Sequence, residues 1–134
     1  MILTGHEIER QIKLGRITID PYDSRNLNPN SYNFRLGNTL KVYEEKVLDP
    51  SRPNRFKEIK IPAHGLTLKP HRLYLGHIVE HRGSNYYVPI MRGRSSIGRL
   101  GIFINITADL IDLGAFGKWT LQLHAIQPVR IYAG

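Results

Sequence analysis

From Ile17 to Tyr132 the chain is cut into short runs of alternating apolar and polar residues by glycine, proline and asparagine, and that punctuation limits what it can fold into. Thr39–Tyr43, Glu58–Ile61, Arg72–His81, Ile102–Ile104 and Lys118–His124 are too short for packed helices and suit strands of period two. Turn signals stand between them at Gly37-Asn38, His64-Gly65, Pro70-His71 and Arg82-Gly83-Ser84-Asn85. Many short strands at near-regular spacing predict an all-β protein, a distorted jelly roll or β-sandwich.

One helix precedes the strands. Thr4-Gly5-His6-Glu7 matches a capping box, in which Thr4 caps the first turn and Glu7 reaches back to it. Ile8 and Ile12 recur at helical spacing and Gly15 is a stop, which predicts a helix over about residues 5–14. Ile17 to Pro21 reads as a brief strand broken by proline, and Asn26 to Ser31 as a turn-rich loop. Tyr32–Leu36 and Thr39–Tyr43 are expected to pair across Gly37-Asn38. Glu44 to Lys57 has no apolar period and reads as a surface loop, Tyr86 to Met91 as a strand, and Pro128 to Tyr132 as the last strand.

The 134 residues suffice for a single domain spanning 1–134. There is no cysteine, so neither disulfides nor the Cys-dependent zinc site of one large class of nucleotide deaminases is available. No window approaches a membrane span or a signal peptide, so a soluble cytoplasmic protein is expected. The formal charge of +8 raises the question of nucleic acid. The basic residues are scattered from Arg10 to Arg130 without a dense block, so nucleic-acid binding is not expected; the excess equally suits a small polyanion. His77-Ile78-Val79-Glu80-His81 fits the HxxEH pattern of a zinc peptidase class, which requires a helix. On the strand predicted here, residues four apart lie about 13 Å from each other and cannot share a metal.

The stretch Met91–Ala125 concentrates the chemistry. In Gly93-Arg94-Ser95-Ser96-Ile97-Gly98-Arg99 small residues, two hydroxyls and two guanidinium forks suit a polyphosphate, against the alternative of a plain glycine-serine turn. A serine nucleophile is not supported, because the GxSxG elbow lacks its final glycine. An apolar strand Ile102-Phe103-Ile104 and a turn-rich segment with Asp109 and Asp112 lead to a return strand. In that strand Trp119, Leu121 and Leu123 face one way and Thr120, Gln122 and His124 the other. Asp112 reads either as a turn cap before glycine or as a ligand, and Trp119 either as core or as a stacking platform.

GRSSIGRLG, an apolar strand, TAxxxDxG, GxWTLxL and PVRIYAG together resemble the dCTP deaminase family, which shares its fold and trimeric assembly with the dUTPases. The likeness covers essentially the whole chain, including Met1-Ile2-Leu3 and Pro29-Asn30-Ser31-Tyr32-Asn33, where Asn33 stands in place of the family's aspartate. It implies that Arg94, Arg99 and Ser95, with Ser96, serve the triphosphate and the catalytic water. By the same likeness Asp112 meets the sugar 3'-hydroxyl, and Thr120, Leu121 and Gln122 meet the pyrimidine edge. It further implies dCTP or dUTP as ligand, magnesium carried by the triphosphate, no zinc, a homotrimer with sites between subunits, and a further strand and lid beyond Gly134.

The main departure is Gln122, where family deaminases carry glutamate; Leu110, where many relatives place arginine, is another. Zinc-free deamination at C4 asks for a group that takes a proton from water and delivers one to the ring and the leaving ammonia, which a carboxylate does and an amide does not. Gln122 is either a change introduced into a deaminase or the native residue of a chain that kept the nucleotide pocket and gave up C4 chemistry. dCTP deamination to dUTP and ammonia is the first expectation. The alternatives are dUTP diphosphatase action using Asp112 and a non-catalytic nucleotide-binding protein.

Overall fold

The computed structural model describes residues 1–134. The elements in chain order are α1 (Gly5–Lys13), β1 (Thr18–Asp20), β2 (Leu27–Asn28), β3 (Ser31–Tyr32), β4 (Thr39–Tyr43), β5 (Phe56–Lys60), β6 (Leu66–Leu68), β7 (Leu73–His77), β8 (His81–Gly83), α2 (Ser95–Gly98), β9 (Ile102–Ile104), β10 (Thr120–Ala125) and β11 (Val129–Ile131). A five-stranded antiparallel sheet of order β5-β4-β7-β10-β9 forms one layer. The pairs β6–β11, β1–β8 and β2–β3 make up the remaining small sheets. This is the expected mostly β sandwich with a short N-terminal helix.

The core follows from strand alternation. Leu40 and Val42 of β4, Tyr74 of β7, and Leu121, Leu123 and Ala125 of β10 point to one face and are buried. The β6–β11 pair packs Leu66, Leu68, Val129 and Ile131 onto the same cluster from the other side. Each leucine, isoleucine or valine taken fully out of water contributes about 1.5–3 kcal/mol. Residues of opposite parity, including Lys41, Leu75, His77, Thr120, Gln122 and His124, lie on the outer face. The parity read for Lys118–His124 is therefore the one the structure shows.

Several local expectations are corrected. Tyr32–Leu36 does not form a hairpin with β4, which pairs with β5 from Thr39↔Lys60 to Tyr43↔Phe56 and touches β7 at Lys41↔Leu75. The competing force is side-chain and backbone capture. Tyr32 stacks on Tyr22, Phe34 meets Trp119 edge-on at 5.7 Å, and the Arg35 N–H and Nε both donate to the buried Glu80 carboxylate. Strand β5 begins at Phe56, inside the expected loop. Arg82 and Gly83 belong to β8, paired with β1, and the turn starts only at Ser84, whose Oγ accepts from the Tyr86 and Tyr87 N–H groups. Tyr86–Met91 makes one bridge, Ile90↔Leu110, and no strand. Pro89 has no N–H to offer a ladder, although its carbonyl accepts from Ile111.

The Thr4 hydroxyl accepts from the Glu7 N–H at 3.3 Å, as a cap does, but Glu7 reaches forward to Arg10 and Gln11 and not back to Thr4. His77 and His81 fall in different sheets, β7 and β8, with a bend between them, so the continuous strand expected there stops at His77. No helix is long and apolar enough to cross a membrane.

Candidate functional site

The segment Gly93–Arg99 is not an open turn but one turn of helix, with Arg94 at its N-cap and Arg99 just past its end. Ile97 anchors it against the core, and the Gly101 N–H donates to the Gly98 carbonyl where the chain enters β9. Arg94, Ser95, Ser96 and Arg99 are exposed, and their side chains make no hydrogen bond or ion pair within the chain. Two cations and two hydroxyls are thus displayed on a short rigid element without partners of their own.

Beside it runs a clasp that the sequence did not announce. Arg92 Nη2 lies 2.8 Å from Asp109 Oδ2, the Met91 N–H donates to the Asp109 carbonyl at 2.7 Å, and Ile90 bridges Leu110. These contacts tie the segment before α2 to the turn that carries Asp112. Asp112 closes that turn with its main-chain carbonyl, which accepts from the Ala115 N–H at 3.2 Å, while its carboxylate is exposed and unpaired. The turn-capping role of its side chain is therefore not used.

On β10 the expected pyrimidine-facing residues divide. Thr120 is exposed and Gln122 half-buried on the outer face, and the Gln122 carboxamide makes no hydrogen bond within the chain. Leu121 instead points into the core at 7% exposure, so only its main chain is left for any ligand. Strand parity dictates that result: neighbours cannot both face the same side. Trp119 is core as well, with Phe34 against its edge and the Arg82 guanidinium over its ring, and does not offer a stacking face. Burial pushes the Arg82 guanidinium down to about 9.

The expected residues do not gather in one cavity of a single chain. A cavity of about 1140 Å³ is lined mainly by apolar side chains such as Ile78, Leu121 and Leu123. Arg94 reaches its wall, but Ser95, Ser96, Arg99, Asp112, Thr120 and Gln122 do not. Along the ladder, α2 enters β9 at the end paired with Ala125, and Gln122 lies beyond the other end, about 10 Å away at ~3.3 Å per strand residue.

Sequence reasoning missed Asn105, which holds the Gln122 main chain. Its Oδ1 accepts the Gln122 N–H at 2.9 Å, and its own N–H donates to the Gln122 carbonyl at 3.1 Å. An asparagine directly after an apolar run signals a left-handed turn, and Asn105 does adopt φ 48°. Nothing in the sequence indicates which strand its side chain grips.

The fold is thus a β-sandwich that displays unpaired arginines and serines on one short helix and a free carboxamide on β10. The family model described as dCTP deaminase-like matches residues 2–134, and the chain belongs to that family. It is 48% identical over 135 residues to "dCTP deaminase, dUMP-forming" of Clostridium acetobutylicum, covering 100% of this chain and 77% of that one. It is 53% identical over 133 residues to "dCTP deaminase" of Rhodopirellula baltica, covering 98% of this chain and 66% of that one. A crystal structure of 2'-deoxycytidine 5'-triphosphate deaminase from Agrobacterium tumefaciens shares the fold with TM-score 0.74 at 21% identity, over 99% of this chain and 44% of that one. The chain therefore spans less than half of the solved protein and about two thirds to three quarters of these curated relatives.

Proposed function

We propose that this protein binds dCTP with magnesium and carries out deaminase-type hydrolysis at a rate limited by Gln122. The observation that carries the reading is the outward, half-buried and unpartnered Gln122 carboxamide, at the position where the resemblance places the family's glutamate. In the reaction a water oxygen adds to C4, the C4–N4 bond breaks, and ammonia leaves to give dUTP. An amide still hydrogen-bonds a pyrimidine edge through both its donor and its acceptor, so binding survives while proton transfer suffers.

Arg94 and Arg99 meet the triphosphate and Ser95 and Ser96 donate to its oxygens or hold the attacking water. No group of three or more His, Asp or Glu side chains converges anywhere in the fold, and Asp109 is taken by Arg92. Magnesium enters with the substrate, on the phosphate oxygens, as the family resemblance implies. As the family resemblance implies, the sites lie between subunits of a homotrimer. Apolar side chains left exposed around the clasp, Tyr86, Val88, Ile90, Leu110 and Leu113, supply a surface for that contact.

A second reading has a specific observation behind it. Relatives named as dUMP-forming and the free Asp112 carboxylate both favour cleavage of dUTP, supplied as such or formed by deamination of dCTP, with water attacking the α-phosphorus and diphosphate leaving to give dUMP. Incubation with magnesium and either dCTP or dUTP, with ammonia and diphosphate assayed separately, distinguishes the two. Ammonia alone from dCTP supports deamination to dUTP; both products from dCTP support the dUMP-forming variant; diphosphate from dUTP without ammonia from dCTP selects diphosphatase action. Saturable binding with neither product leaves a silent nucleotide-binding protein, and absence of saturable dCTP binding overturns the proposal.

A further inference from the structure

Asn105 sits immediately after β9, is buried to 5% exposure, and has φ 48°, a left-handed conformation that asparagine tolerates better than most residues. Its side chain continues the ladder where its backbone turns out of it. Oδ1 accepts the Gln122 N–H at 2.9 Å, and the Asn105 N–H donates to the Gln122 carbonyl at 3.1 Å. In an antiparallel ladder the N–H and C=O of one residue point to the same neighbour, so both main-chain groups of Gln122 are turned to Asn105 and away from Leu75 on β7. The remaining arm, Nδ2, donates to the Ala108 carbonyl at 3.0 Å and folds back the segment that leads to Asp109 and Asp112.

We infer that Asn105 is the positioning residue of the nucleotide site: it sets the Gln122 carboxamide at the pyrimidine edge and couples that setting to the turn carrying Asp112. The inference rests on the proposed function, because it assigns Asn105 a role in a site that reading defines. It makes no contact with the ligand itself and acts through Gln122 and Ala108.

The test uses the full chain with dCTP and magnesium. Asn105→Gly permits the same φ but removes both side-chain hydrogen bonds, and Leu68→Ala, in the core on β6, supplies a destabilised control outside the site. For N105G we expect dCTP affinity to fall about tenfold and hydrogen exchange at the Gln122 amide to quicken by about tenfold or more, with the Ala125 amide unchanged. For L68A we expect a lower Tm with dCTP affinity retained. Should N105G not fold, N105S carries the same comparison. Wild-type affinity in N105G, or an equal loss of affinity in L68A at equal Tm, overturns the positioning role and leaves Asn105 structural. A wild-type protein that binds no dCTP is a different result: it removes the proposed function, and the role of Asn105 with it.

Discussion

Both main-chain hydrogen-bonding groups of Gln122 are held by one residue, Asn105, through its N–H at 3.1 Å and its Oδ1 at 2.9 Å. Position 122, an amide where the resemblance implies glutamate, is thus held through its main chain, with its carboxamide left free. Rigidity with a free head group is what a binding contact needs, since ordering it on ligand binding then costs little entropy.

On the proposed function, replacing Gln122 by glutamate supplies a group able to shuttle protons at C4. Ammonia release from dCTP is expected to rise by about 10²-fold or more over the unmodified chain. A coupled ammonia assay at saturating dCTP checks this, and an unchanged rate in a variant that still binds dCTP refutes it.

Arg94 and Arg99 flank α2 with no intrachain hydrogen bond or ion pair, so truncating either removes charge without breaking one. Arg94→Ala and Arg99→Ala should each weaken dCTP binding about tenfold to a hundredfold, the range for hydrogen bonds to charged groups, and leave Tm nearly unchanged. Calorimetric titration with dCTP and with deoxycytidine separates the effects: a loss confined to the triphosphate is expected, and an equal loss for both ligands counts against a phosphate role.

Glu80 is fully buried and its carboxylate is satisfied by the Arg35 N–H and by Arg35 Nε at 2.7 Å. Arg35→Ala leaves that buried carboxylate without its cation. A clear loss of stability is expected, because the buried Glu80 carboxylate then keeps its charge without a cationic partner. Urea denaturation gives the figure, and Glu80→Gln in the same background should recover part of it.

Asp23 accepts from Arg25 Nε and Nη2 and from the Arg25 N–H, and the guanidinium first of all holds its carboxyl down to about 2 from 3.8. A carboxyl whose folded pKa is depressed adds stability above its unfolded value and loses that contribution as pH falls through the folded one. The Tm difference between wild type and Asp23→Asn should therefore be present at neutral pH, shrink below pH 3.8 and vanish near pH 2. A difference independent of pH shows that Asp23 acts through shape alone.

Period-two runs and turn residues made the fold class legible, because burial of one strand face is a local property of spacing. The cap at Thr4, the strands Ile102–Ile104 and Thr120–Ala125 and their pairing, and the outward face of Gln122 all follow from such local patterns. Tyr32–Leu36 shows where that reasoning stops: its alternation suits a strand, but Trp119 and Glu80, distant in sequence, captured it first.

By itself the sequence determined the class of fold, the presence of residue types suited to a triphosphate and the amide at position 122, since these depend on identity and spacing alone. Tertiary structure decided which of those groups share a surface, turned Leu121 inward, separated α2 from Gln122 and chose Asn105 to hold the latter. The reason is physical: each of these depends on which strands pair and in which register, and a one-residue change of register exchanges every inward side chain for an outward one.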